Sequence, residues 1–278
     1  MTLTVMLAVL FAALLHASWN ALIKSGGDKV QGMIALTLGH TIVGVTLIAY
    51  SGWLPREAWG WMAASVLIHA AYQSFLALAL TQGDLSRVYP ISRGSAPLMV
   101  LAFGFLFLPD QISNTEYLGV IILGAGILLM ARGVFSNGES RRMLPFAFGA
   151  ALATAGYTVA DGLGARAAGS ATVYIGWLMT LEGLAFLPVC WALRGRSVFR
   201  IPMQTLKVGT LAGIASVFAY WIAVWGMTQA PIALVAALRE TSIFFAVMIG
   251  WLFFSEKVDR FKALAACLIV VGAMITRL

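Results

Sequence analysis

Arg93-Gly94-Ser95-Ala96-Pro97-Leu98-Met99-Val100-Leu101-Ala102-Phe103-Gly104-Phe105-Leu106-Phe107-Leu108-Pro109-Asp110 is an arginine, an apolar run and an acidic stop. The pattern returns as Arg239-Glu240-Thr241-Ser242-Ile243-Phe244-Phe245-Ala246-Val247-Met248-Ile249-Gly250-Trp251-Leu252-Phe253-Phe254-Ser255-Glu256. One offset of 146 positions sets Arg93 on Arg239, Gly104 on Gly250, Phe107 on Phe253, Asp110 on Glu256, Ile112 on Val258 and Gly126 on Gly272. Upstream, Thr81-Gln82 resembles Thr228-Gln229. A match through two apolar runs and the turn between them implies a duplication of about five such runs. A unit with an odd number of membrane crossings places its second copy upside down, so the repeat is inverted. The reading is one membrane domain made of repeats 1–137 and 138–278.

Working outward, 61% of the 278 residues are hydrophobic and 10% charged, against about 25% charged in a soluble domain. Apolar runs fall at 3–23, 31–50, 58–81, 86–108, 115–133, 143–165, 171–193, 207–228, 231–254 and 259–277. Each is long enough to cross a bilayer, and their continuous apolarity fits helices rather than alternating barrel strands. The expected fold is an all-α integral membrane protein of ten transmembrane helices. The first run lacks the basic n-region and small-residue cleavage site of a signal peptide and is read as a retained helix. Cys190 and Cys267 lie inside apolar runs, as small lipid- or core-facing residues rather than a disulfide or metal pair.

The net charge of +7 sits mostly between the runs, as loop charge rather than a nucleic-acid footprint. With the first end outside, the inward connections carry Lys24, Lys29, Arg87, Arg132, Arg141, Arg142, Arg194, Arg196, Arg200, Lys207, Lys257, Arg260 and Lys262, and the outward ones Arg56, Arg166 and Arg277. That bias predicts both termini outside a bacterial-type cytoplasmic (inner) membrane.

The five-plus-five repeat, Trp19-Asn20-Ala21-Leu22-Ile23-Lys24, Tyr89-Pro90 with Arg93-Gly94-Ser95-Ala96-Pro97, and Arg239-Glu240-Thr241-Ser242 with Phe253-Phe254-Ser255-Glu256 together resemble the drug/metabolite transporter superfamily, in its ten-helix EamA-type branch. The resemblance covers essentially the whole chain; Pro109-Asp110 stands where the family usually has Gly-Glu. It implies alternating-access transport through a central cavity, in a superfamily whose substrates range over amino acids, nucleotide sugars and quaternary amines.

An ionisable side chain at the centre of a span costs roughly 2.5–3.5 kcal/mol on insertion scales, so each needs a partner, water or a role. His16, Trp19, Asn20 and Lys24 share one face of the first span by their i, i+3, i+4, i+8 spacing. An offset of 138 sets Thr154, Tyr157, Thr158 and Gly162 against them on the sixth, with Asp161 a turn beyond Tyr157. Ser65, His69, Tyr72 and Gln73 stripe the third span; Ser216, Tyr220 and Trp221 the eighth. These stripes suggest one shared cavity, the plainer alternative being interhelical hydrogen bonds. Arg93 and Arg239 offer planar forks for carboxylate or phosphonate oxygens, or else cap backbone carbonyls or pair with Glu240 or Glu182. Pro90 and Pro97 each remove a backbone donor and can open the fourth span beside Arg93.

Glu182 and His40 lie at comparable depth in the seventh and second spans and are candidates for proton coupling, or for a structural pair. The candidate substrate-binding set is His16, Trp19, Asn20, His69, Tyr72, Gln73, Arg93, Tyr157, Tyr220, Trp221, Arg239 and Glu240. Tyr174, Trp177, Trp221 and Trp225 form an aromatic box for a cation, or pack the bundle and its interface belt. The three histidines lack metal-binding spacing, so neither metal nor cofactor is expected. The leading reading is a secondary carrier for a small amino-acid-like, zwitterionic or anionic solute, with lipid and solute as its partners and no pattern specifying an oligomeric state. A carrier for an organic cation or quaternary amine is the alternative, and an intramembrane enzyme, which lacks any metal or nucleophile motif here, a distant one. The inverted repeat counts against a purely structural protein.

Overall fold

The computed structural model describes residues 1–24, 29–82, 85–130, 141–255 and 259–277. Arg132, Glu256, Lys257 and Val258 lie outside the described residues, as do the side chains of Lys24, Lys29, Thr81, Arg87, Tyr89, Pro90, Arg141, Arg194 and Phe254. The helices are α1 (Leu3–Lys24), α2 (Lys29–Ser51), α3 (Trp59–Gln82), α4 (Leu85–Phe107), α5 (Asn114–Met130), α6 (Leu144–Ala167), α7 (Ala171–Arg194), α8 (Met203–Gln229), α9 (Ile232–Arg239), α10 (Ser242–Phe254) and α11 (Arg260–Ile275). Among the described residues there is no strand. Five segments, Leu3–Ile23, Val30–Ser51, Ala171–Ala192, Met203–Gln229 and Ile232–Phe253, are long and apolar enough to cross a bilayer, and Ile91–Phe107 and Asn114–Leu129 are shorter apolar helices. Large side chains such as Leu7, Leu67, Phe105 and Leu252 stand exposed along them. That surface suits hydrocarbon rather than water.

Side-chain caps set several helix starts. Ser113 and Glu116 form a reciprocal capping box at α5: the Ser113 N–H donates to Glu116 Oε2 at 2.9 Å and the Glu116 N–H to Ser113 Oγ at 3.3 Å. Asp259 accepts from the Phe261 and Lys262 N–H groups, both at 2.9 Å, and starts α11.

The fourth span carries Pro90 and Pro97, either of which can open a helix, and α4 is unbroken from Leu85 to Phe107; a proline within a membrane helix is tolerated where its surroundings re-satisfy the freed carbonyl. The ninth, expected as one helix, is broken at Glu240-Thr241 with no proline present. There the ladder tightens, Glu240 N–H donating to Ala237 O at 3.1 Å and Thr241 N–H to Leu238 O at 3.0 Å. The Thr241 hydroxyl also donates to Leu238 O, at 2.6 Å, a side-chain competitor for the helical ladder. All eight residues of α9 are buried.

The two inverted five-helix repeats interlock in matched pairs: α1 packs on α8 as α3 packs on α6, and α5 pairs with its counterpart α11 as α2 does with α7. One matched pairing is unequal. α2 lies along α8, whereas their counterparts α7 and α3 barely meet.

Close helix approach is set by glycine. At the α5–α11 crossing a Cβ on Gly272 would lie 2.6 Å from Leu123 N and 2.7 Å from Gly119 O. Such backbone atoms cannot move aside as a side chain can. Gly272→Val should therefore lower stability by on the order of 1–3 kcal/mol or more, read as a lower Tm of the detergent-solubilised protein. Gly60→Ala on α3, with nothing within 4 Å of the new Cβ, should leave Tm unchanged.

Candidate functional site

Between the repeats lies a cavity of about 560 Å³, within the range of ligand pockets. Its walls take His16, Trp19, Asn20 and Ile23 from α1, Met33 and His40 from α2, His69, Tyr72, Gln73 and Leu76 from α3, and Arg93 from α4. Tyr157 of α6, Glu182 and Phe186 of α7, Ser216 and Tyr220 of α8 and Arg239 of α9 complete them. The helices alternate in direction, so Ile23, Met33, Leu76 and Phe186 all belong to helix halves pointing toward one face, opposite the turn that carries Asp110. The cavity thus reaches toward that opposite face.

Twelve of the fourteen candidate residues line it: His16, Trp19, Asn20, His40, His69, Tyr72, Gln73, Arg93, Tyr157, Glu182, Tyr220 and Arg239. Glu240 lies behind this wall, buried, its Oε1 accepting from Arg93 Nη1 at 3.4 Å. Trp221 is turned away, its ring centroid 5.8 Å from that of Phe218, and packs beside the buried Tyr174–Leu178 cluster. Adjacent helix residues point about 100° apart, which carries Trp221 out of the wall that Tyr220 joins. Trp177 packs in the bundle rather than in an aromatic box: it is edge-on to Trp53 at 4.7 Å and to Trp59 at 5.3 Å, its Nε1–H reaching Gly52 O at 3.4 Å. Of the polar stripe on the sixth span, Tyr157 alone is a lining residue, while Thr154, Thr158 and Asp161 are buried behind it.

The charges are arranged in two groups. Arg93 Nη2 stands 3.1 Å from His16 Nε2; guanidinium has only donors, so the imidazole accepts there. Arg239 is 7% exposed, its guanidinium 5.2 Å over the Tyr220 ring, and its Nη1 is buried with no protein hydrogen-bond partner. Across the cavity Glu182 Oε1 is 3.4 Å from His69 Nε2, near enough for an ion pair but without hydrogen-bond alignment. His69, not His40, is therefore the partner of Glu182, and His40 Nε2 is itself unpartnered. The His69 ring is stacked on Tyr157 at 4.0 Å and held by Ser65 O at 3.0 Å from Nδ1.

Asp161 is a residue the stripes did not assign to the site. It is wholly buried and accepts from Tyr174 Oη at 3.0 Å and, by a short contact, from Tyr220 Oη. Tyr220 thereby joins α6 and α7 to the cation wall of the cavity. Its signal in the sequence was an acid at membrane depth with no lysine or arginine one turn away.

The model of the EamA-like transporter family matches this chain twice, over residues 3–132 and 141–278. The chain belongs to the EamA-like transporter family. A Sinorhizobium protein described as an uncharacterized transporter in the cobO 3' region is 34% identical over 135 residues, 44% of this chain and 94% of that protein. The uncharacterized transporter YwfM of Bacillus subtilis (strain 168) is 23% identical over 249 residues, 84% of this chain and 80% of YwfM. A crystal structure at 20% identity superposes with a TM-score of 0.79 over 99% of this chain and 98% of its own, a likeness of fold. As a member of the drug/metabolite transporter superfamily, this EamA-type chain is a multi-pass membrane transporter.

The geometry of the cavity makes an immediate prediction. With Cys190 and Cys267 replaced by serine, Gln73→Cys should react with a water-soluble maleimide in membranes, and Trp221→Cys should react at least about tenfold more slowly, because thiolate formation needs water.

Proposed function

We propose that this EamA-family protein is a secondary carrier that moves a small amino-acid-like solute, zwitterionic or anionic, across a bacterial-type cytoplasmic membrane by alternating access, with proton coupling through Glu182. Repeats 1–137 and 138–278 rock about the cavity, and both termini lie outside, which makes the face reached by the cavity the cytoplasmic one. The charge bias of the connections supports that orientation.

One observation carries the solute class. Arg239 and Glu182 line the same cavity, and Arg239 Nη1 and Glu182 Oε1 are each buried without a protein hydrogen bond. A buried charged group without its hydrogen bond is costly, so water or a solute must supply the missing partners. An acid group on Arg239 and an amine, or a proton, on Glu182 satisfy both. Arg93 is less available, since Glu240 and His16 already occupy it.

The organic-cation reading has weaker support. The lining carries two guanidinium groups against one carboxylate, as Glu240 lies behind the wall, and Arg239 already covers the Tyr220 ring that a cation would seek.

Flux into proteoliposomes from a panel of amino acids, amines and phosphonates tests the proposal. Zwitterions or anions should accumulate, Arg239→Gln should reduce their uptake about tenfold or more, and Glu182→Gln should uncouple uptake from an imposed pH gradient. Uptake of amines that survives Arg239→Gln would establish the cation reading instead. Conversion of a solute into product with no vectorial movement would remove the carrier altogether.

A further inference from the structure

The strongest polar junction among the described residues lies outside the cavity, on the Asp110 face. Arg166, at the end of α6, donates from Nη1 to Asp110 Oδ1 at 2.8 Å and from Nη2 to Asp110 Oδ2 at 3.2 Å, a two-pronged pair between fork and carboxylate. The same guanidinium donates from Nε to Met227 O at 2.8 Å and from Nη2 to Ala230 O at 3.0 Å, holding the end of α8. Asp110 Oδ2 also accepts from the N–H of Ile232, the first residue of α9, at 2.9 Å. Two side chains thus tie the α4–α5 turn of the first repeat to the ends of α6 and α8 and the start of α9, all in the second. Both are only partly exposed, Arg166 at 27% and Asp110 at 13%.

Three facts give the junction a role beyond stability. It bridges the repeats on the face opposite the one toward which the cavity lining extends. It grips α9 at one end, and the last residue of that eight-residue helix is Arg239, the cavity guanidinium with a free donor. Five residues before Arg166 on α6 stands Asp161, whose bond to Tyr220 holds the ring beneath Arg239.

We propose that Asp110 and Arg166 are the gate of the transport cycle on this face: their pairing holds the face closed, their separation lets it open, and α9 makes the gate and the solute-binding Arg239 two ends of one rigid element. The inference rests on the carrier reading for its purpose. The gate itself is a conformational claim and is read without solute.

Cysteine accessibility in the full chain tests it. In the Cys190→Ser, Cys267→Ser background, one reporter is Ala233→Cys, a position 1% exposed on α9 facing Gly104 of α4. The other is Met33→Cys, in the open half of the cavity. With a soluble maleimide and both membrane faces accessible, the parent should label fast at 33 and slowly at 233. Asp110→Asn, which keeps an acceptor for the Ile232 N–H but removes the charge, and Arg166→Gln should raise labelling at 233 at least about tenfold and lower it at 33, as a shifted two-state equilibrium requires. The exchanged pair Asp110→Arg/Arg166→Asp should recover part of the parent pattern.

A rise at both positions would mean that the fold has merely loosened, and no rise at 233 in either single variant would mean that the pair gates nothing; either overturns the proposal. Should Arg166→Gln fail to give a monodisperse protein, Asp110→Asn and the exchanged pair decide. Reciprocal labelling in a protein that moves no solute would uphold the gate and remove the carrier reading.

Discussion

A guanidinium buried at membrane depth keeps its proton, so the fold must bring acceptors to it. Arg93 and Arg239 impose this demand at equivalent places in the two repeats, and the packing of the bundle's centre follows from how each is met. Arg93 takes Glu240 from the opposite repeat and His16 from α1. Glu240 can be there only because the ninth span breaks immediately after Arg239, leaving Glu240 at the joint between α9 and α10. One carboxylate at a helix break thus serves the arginine of the other half. Arg239 has the Tyr220 ring beneath it and a donor left over. Equivalent residues meet unequal surroundings, and the surplus is what faces the cavity.

The same inequality runs through the whole bundle. Repeats of one design would pack identically if the molecule were symmetric, yet α2 lies along α8 while α7 and α3 meet only slightly. A duplicated protein whose cavity extends toward one side only must break its own symmetry in some pairing of this kind. Close glycine crossings at α2–α8 and α5–α11 suit elements that move as rigid bodies, since such backbone-to-backbone contacts resist gradual deformation.

Most of the scaffold was legible in the sequence. Apolar run length and the repeated pattern placed the helices within a few residues of their observed ends, and the spacing of His16, Trp19 and Asn20, and of His69, Tyr72 and Gln73, put both stripes on the cavity. What the sequence left hidden depends on rotation and on long-range partners. Trp221 lies one residue, about 100°, from Tyr220, and polar character alone does not fix which of the two turns inward. Glu182 was matched to His40 by depth, whereas lateral position gives it His69. The break in the ninth span coincides with a bond from the Thr241 hydroxyl to a carbonyl of its own chain, a signal no stronger in sequence than Thr41, whose hydroxyl bonds Thr37 O at 3.0 Å with α2 left intact. Asp110 read as a mild departure from a family pattern, and only the arrival of Arg166 from 56 positions away gives it a use.

On the carrier reading, the leftover donor of Arg239 explains why a solute would promote movement rather than merely occupy space. A cavity with unmatched charges on two walls is stable while water can reach them, that is, while one face is open. Closing it around nothing would strip those groups of water without replacement, and the cost of an unsatisfied buried charge opposes that step. A solute carrying an acid and an amine supplies the missing partners, so it stabilises the occluded arrangement more than the open one, and differential affinity of this kind is what shifts a two-state equilibrium. On the same reading the requirement sets the sign of selectivity: a neutral solute of the same size would fill the cavity yet leave Arg239 Nη1 and Glu182 Oε1 without hydrogen bonds. If the protein is such a carrier, size alone is a poor guide to what this EamA-family cavity accepts, and complementary charge at both of its walls is the stricter condition.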